Sequence, residues 1–226
     1  MKRIPSYNGT LRSHFLNVPR CIYDCSGILI FGKRIKSLVF STDVAIIKNI
    51  NTDAVIAVYP FTPQSQIAKA LIETADVPVF VGVGGGTTSG NRSVLLSIEA
   101  EHLGAHGVVV NAPVATEVIT KIKSMVDIPV IATIASARQD VAERIEAGAD
   151  ILNVAVATET PAVVGVIRSR FSDIPIIATG GPTEETIRAT IEAGANAITY
   201  TPPTNGQLFA EKMKAYRNKW LDEADQ

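Results

Sequence analysis

The chain has 226 residues, 46% of them hydrophobic and 19% charged, with a formal net charge of −1. That balance suits one domain with a large core and supplies no basic stripe, zinc spacing or aromatic platform for nucleic acid. No apolar run approaches the roughly 18 residues of a membrane span, and Met1-Lys2-Arg3-Ile4-Pro5-Ser6 lacks the apolar core of a secretion signal.

A cytoplasmic setting follows as the expectation. The two cysteines, Cys21 and Cys25, are then expected to stay reduced. A CxxxC pair with no further cluster gives no reason to expect a metal.

Residues 1–35 fit no period. Residues 28–31 and 34–38 around Gly32-Lys33 read as a hairpin, expected to plug the N-terminal end of the fold that follows. Next come a strand at 38–41 with a short helix at 43–49, and a strand at 54–58 with a helix at 64–73. From residue 76 the chain repeats itself. Asp76-Val77-Pro78-Val79-Phe80-Val81-Gly82 returns as Asp127-Ile128-Pro129-Val130-Ile131-Ala132-Thr133 and as Asp173-Ile174-Pro175-Ile176-Ile177-Ala178-Thr179. Between the copies fall Leu103-Gly104-Ala105-His106-Gly107, Ala147-Gly148-Ala149-Asp150 and Ala193-Gly194-Ala195-Asn196.

Each phrase introduces an apolar, β-branched run of strand length, and helical patterns follow. Helices are expected at 93–103, 115–125, 137–147, 160–170, 183–193 and 205–219, with strands at 79–83, 108–110, 129–133, 151–155, 175–179 and 197–201. The total is eight strand-then-helix units. Strands apolar on both faces imply a parallel sheet covered by helices. Eight units in so short a chain predict a compact α/β fold, a closed (β/α)8 TIM barrel over 36–226, single-domain, with 1–35 as an N-terminal extension. An open doubly wound sheet is the alternative. The two-unit recurrence favours closure, because alternate strands fill a barrel core in layers.

A barrel puts its site at the C-terminal strand ends. The residues there are rich in hydroxyls and amides: Tyr59, then Gly85, Gly86, Thr87 and Thr88, then Asn111, Thr133, Thr179, Gly180, Gly181, Tyr200 and Thr201. Gly180 and Gly181 precede a helix whose N–H groups and dipole suit a phosphate, although Glu184 and Glu185 oppose one. The loop 84–90 is the second anion candidate, as cradle or lid. Asp43 and Glu159 are the ionisable acids close to strand ends and form the candidate general-base pair. Their competing roles are a helix cap for Asp43 and a helix first turn for Glu159. The histidines, His14, His102 and His106, fall in the extension or at helix ends, on the wrong side for catalysis.

The run Ile174-Pro175-Ile176-Ile177-Ala178-Thr179-Gly180-Gly181, followed by Ile191-Glu192-Ala193-Gly194-Ala195-Asn196-Ala197-Ile198, resembles the last quarter of the phosphate-binding (β/α)8 barrels. The segments 37–47 and 59–63 also resemble bacterial barrels labelled simply as hydrolases. The superfamily resemblance implies a small anionic or phosphorylated ligand. It does not carry a reaction across. Thr199-Tyr200-Thr201-Pro202-Pro203-Thr204 replaces the usual glycine turn after the last strand. Asn153-Val154-Ala155-Val156-Ala157 lacks the lysine of sugar-acid aldolases, and Thr158-Glu159-Thr160 lacks the histidine of nitronate monooxygenases.

The expectation is an enzyme acting on a small anionic metabolite by metal-independent acid/base chemistry, as an isomerase, lyase or hydrolase. No cofactor is expected. Asp43 or Glu159 would be the base, and Asn111, Thr133 and Thr179 would orient the ligand. A non-catalytic metabolite sensor similar to the antiterminator barrels and a flavoprotein similar to the nitronate monooxygenases are the alternatives. Homo-oligomerisation is expected for so small a barrel.

Overall fold

The repeated phrases build the closed end of a barrel. In the computed structural model, which describes residues 15–224 together with Pro5, Tyr7, Gly9 and Thr10, a hairpin of β1 (Ile28–Ile30) and β2 (Lys33–Ile35) comes first. Eight parallel strands follow: β3 (Ser37–Phe40), β4 (Ala54–Ala57), β5 (Val79–Gly84), β6 (Gly107–Val110), β7 (Val130–Ile134), β8 (Ile151–Val154), β9 (Ile176–Thr179) and β10 (Ala197–Tyr200). They close in the order β10-β3-β4-β5-β6-β7-β8-β9. The alternative of an open sheet is excluded, and the eight strand-then-helix units read from the sequence are present.

The helices are α1 (Val44–Lys48), α2 (Ser65–Thr74), α3 (Asn91–His102), α4 (Thr116–Lys123), α5 (Val141–Glu146), α6 (Thr160–Arg170), α7 (Glu184–Glu192) and α8 (Asn205–Ala224). Two differ from the periodicity reading. α5 starts at Val141 rather than near 137, because the Gln139 side chain accepts from Ala135 N–H and Ser136 N–H and holds a loop open, and Asp140 then caps the helix. α8 runs on to Ala224 rather than 219.

Each word of the repeat has a bonding role. Proline cannot donate at the start of a strand, but its carbonyl can accept. Val55, Val108 and Leu152 N–H donate to Pro78, Pro129 and Pro175 C=O across the sheet. The residue after Gly-Ala then serves the preceding strand. Asp150 accepts from Val130 N–H and Asn196 from Ile176 N–H, both at 2.9 Å. The glycines between, Gly104, Gly148 and Gly194, end helices with φ of 93°, 106° and 110°, the left-handed conformation that only glycine adopts cheaply.

Strand residues alternate inward and outward. The inward set at the closed end includes Leu38, Ala54, Ile56, Phe80, Val109, Ile131, Ile151, Ile177 and Ala197, all buried in one cluster with Ile28, Ile30 and Ile35 of the hairpin. The hairpin therefore stoppers the barrel with three isoleucines, each burial contributing about 1.5–3 kcal/mol. Its turn, Phe31-Gly32, has φ of 47° and 79°, the sign pattern of a two-residue hairpin turn. Phe31 meets the His106 ring edge-on at 6.3 Å. His106 and His102 thus lie at the closed end, and His14 lies outside the described residues.

Candidate functional site: the C-terminal mouth

A barrel of eight strands with shear of about 8 rises by roughly one residue per strand. With the observed registers, that stagger puts Ile56, Val109, Asn153 and Thr199 at one height inside the barrel. Phe40, Gly82, Thr133 and Thr179 form the next layer, and Val58, Asn111, Ala155 and Thr201 the rim. Moving upward, the interior changes from aliphatic to hydroxyl and amide. Asn153 Nδ2 donates to Thr133 Oγ1 at 3.3 Å. Asn153 Oδ1 and Thr199 Oγ1 are buried and have no hydrogen-bond partner among the described residues, a costly state for a polar atom.

Two cavities open at the rim. The first, about 360 Å³, is lined by Val58 to Pro63, Gly82, Gly84, Gly86, Thr87, Thr88 and Asn111. The second, about 600 Å³, is lined by Phe40 to Asp43, Ile46, Val58 to Pro60, Asn111 and the stretch from Thr201 to Asn205. Val58, Tyr59, Pro60 and Asn111 line both, so the two are halves of one mouth. Neither lining contains Lys, Arg or His. Gly82, lacking a side chain in the layer that holds Thr179, leaves part of this space, and a Cβ there would come within 3.2 Å of Val58 Cγ2.

The glycine loop is built against Asn111. Gly84 and Gly85 both have φ of 117°. A Cβ on Gly85 would stand 2.7 Å from both the N and the O of Asn111. Asn111 N–H donates to Gly84 C=O at 2.8 Å, and Gly85 N–H to Thr88 C=O at 2.8 Å. Thr88 is buried and donates to Thr62 Oγ1, while Gly86 and Thr87 are exposed at the cavity edge. The loop leads into α3, whose N-cap, Gly90, offers no side chain to the first-turn N–H groups. Tyr59 Oη accepts from Gln64 N–H, which leaves its own proton for a ligand.

Two other helix starts, those of α1 and α7, are closed by side chains. Asp43 Oδ1 accepts from Ala45 and Ile46 N–H at 2.8 and 3.2 Å, capping α1. Thr183 and Thr186 form a reciprocal capping box on α7. Its own backbone N–H and the Thr183 hydroxyl hold the Glu185 carboxyl below the usual carboxylate range. Gly180 and Gly181 have packing reasons to be glycine. A Cβ on Gly180 would meet Ile187 and Ile198 at 2.8 Å, and Gly181 lies against Thr186 with φ of 82°.

The expected site residues therefore separate into groups. Asp43, Tyr59, Gly86, Thr87, Thr88, Asn111 and Thr201 line the mouth, with Gly85 against it. Thr133 and Thr179 lie in the throat. Gly180 and Gly181 sit in the turn before α7. Tyr200 alternates outward and packs against the core outside the barrel. Glu159 is exposed and lines a separate groove between α5 and α6, so Asp43 and Glu159 share no cavity. The strand readings passed over Asn153 and Thr199. Their signal was parity, since each lies two residues after an inward apolar residue, Ile151 and Ala197.

The fold and mouth define a (β/α)8 barrel with a ligand-sized opening at its C-terminal face. No protein-family model matches the chain, and no curated protein matches it in sequence. Among solved structures it resembles phosphoenolpyruvate phosphomutase from Streptomyces platensis subsp. rosaceus, with TM-score 0.62 and 17% identity over 91% of this chain and 86% of that one. Phosphonopyruvate hydrolase gives TM-score 0.61 and 15% identity over 87% and 85%. Orotidine 5'-phosphate decarboxylase from Pyrococcus horikoshii gives 0.55 and 18% over 73% and 88%. At these identities the likeness establishes the barrel.

Proposed function

We propose that this barrel is an enzyme of lyase, isomerase or hydrolase type acting on a small anionic metabolite held in the mouth. The observation that carries the reading is the position of Asn111. Its side chain makes no hydrogen bond among the described residues and lines both halves of the mouth, between the glycine loop on one side and Asp43 on the other. The loop supplies exposed backbone N–H groups and hydroxyls next to an uncapped α3, a setting that favours negative charge without any cation. The anionic end of the ligand belongs there. The reacting part then lies over Asn111 and Tyr59 Oη, which donate to a developing oxyanion. Asp43 Oδ2, which α1 does not use, takes the proton or orients water. The similar barrels named above act on phosphorylated and phosphonate compounds, in keeping with this class.

Phosphorus NMR of phosphoenolpyruvate and phosphonopyruvate mixed with the protein tests the reading. Conversion that falls by about 100-fold or more in Asp43→Asn, with binding retained, is the expected result. Binding without conversion would point to the second reading, a metabolite-sensing barrel. That reading has one observation in its favour: the Asp43 carboxylate already serves as a helix cap.

A further inference from the structure

The outer ring of this barrel is irregular in two places, and the two fit each other. α8 is a 20-residue helix whose described residues make few contacts with its own barrel. Of its side chains, Leu208 in the first turn packs against the core, while Phe209, Tyr216 and Trp220 are 66%, 57% and 71% exposed. With Met213 they fall at spacings of four, three and four, a single apolar stripe about a quarter turn from Leu208. The place of an eighth helix, over β10 and β3, is filled instead by the N-terminal segment. Val18, Cys21, Ile22 and Cys25 are buried there in the outer core, and the 3₁₀ turn Arg20–Asp24 lies against α7. A helix in a protein draws most of its stability from packing its apolar face, and an aromatic stripe of this extent marks a contact surface.

The second irregularity is a gap. α5 has six residues, too short to fill its share of the ring beside α6. A groove of about 240 Å³ remains, walled by Ile134, Val141, Ala162, Val163, Val166 and Ile167. Val166 is 59% exposed. At its edge Arg170 stacks over Phe171, and Glu159 forms no ion pair among the described residues. The α8 stripe is bordered by Lys212 and Arg217. Those cations would repel one another in a pairing of α8 with a second α8, whereas Glu159 attracts them.

We propose that α8 of one copy docks into the α5–α6 groove of a second copy and receives that copy's α8 in its own groove. A two-fold axis satisfies both contacts at once, so the assembly closes as a dimer. Trp220 or Phe209 is the knob for a groove of this volume, and the basic border meets Glu159.

Sedimentation equilibrium of the full chain reads the outcome. A species of twice 24.1 kDa is expected for the wild type. Trp220→Glu and Val166→Glu, both at positions exposed in the single chain so that each monomer still folds, should each weaken the dimer at least tenfold. A monomeric wild type overturns the proposal, whether it remains free or cosediments with phosphatidylserine vesicles. So does a dimer that survives Val166→Glu while Trp220→Glu breaks it, because the stripe is then covered elsewhere. A dimer indifferent to both changes overturns it as well.

Discussion

Asn111 N–H donates to the Gly84 carbonyl at 2.8 Å, tying the glycine loop to the end of β6. This bond sets the height of the loop over the mouth, and Gly85 must pass within contact of the same residue. Gly85→Ala should therefore displace the loop. Strain at φ 117° and a contact of 2.7 Å to backbone atoms leave no relaxation through a flexible side chain. A loss of about 1–3 kcal/mol in urea denaturation, together with loss of ligand, is expected. Gly86→Ala, whose Cβ would meet nothing within 4 Å, should be nearly neutral for stability.

Asp43 has two separable roles, and two substitutions divide them. Asparagine caps a helix about as well as aspartate, whereas alanine costs about 1 kcal/mol. Asp43→Asn should match the wild type in thermal stability while losing turnover. Asp43→Ala should lose both. If Asp43→Asn retains full turnover, Asp43 is a cap alone.

Thr199 Oγ1 is buried without a partner among the described residues. Thr199→Val replaces it with a near-isosteric methyl and removes an unsatisfied polar atom, so stability should be unchanged or rise by up to about 1 kcal/mol. A clear fall in melting temperature would mean that the hydroxyl has a structural partner in solution.

Burial pushes the Cys25 thiol up to about 12 from an ordinary 9.0, with Lys36 opposing the shift. Burial raises Cys21 as well. A raised pKa means that the unfolded thiol ionises first. The stabilisation is complete below about pH 9 and is lost as pH rises toward 12. The stability gap between wild type and Cys25→Ala should accordingly narrow above pH 9. Neither thiol should react with a disulfide reagent at pH 8 in the native protein.

Much of this fold was legible because the repeat encodes hydrogen bonds as well as hydrophobicity. Pro78, Pro129 and Pro175 marked strand starts, and Gly104, Gly148 and Gly194 marked helix ends, each for a local reason that sequence carries. The start of α5 was not legible, because the Gln139 side chain competes with the helix for its backbone. The site was half legible. Strand ends named the mouth, and with it Asn111 and the glycine loop. Which glycines face ligand and which face packing is a tertiary matter. Gly180 and Gly181 read like an anion turn, yet Ile187, Ile198 and Thr186 explain them without one. Tyr200 and Thr201 differ only in parity, and the side each faces depends on where β10 ends.

Calorimetric titration with phosphoenolpyruvate, for the wild type and Asn111→Leu, bears most directly on the mouth as an anion-binding active site. Saturable binding by the wild type, weakened at least tenfold by Asn111→Leu at unchanged melting temperature, is predicted. Binding that is equally tight in both proteins, or absent from the wild type at millimolar phosphoenolpyruvate and inorganic phosphate alike, would contradict it.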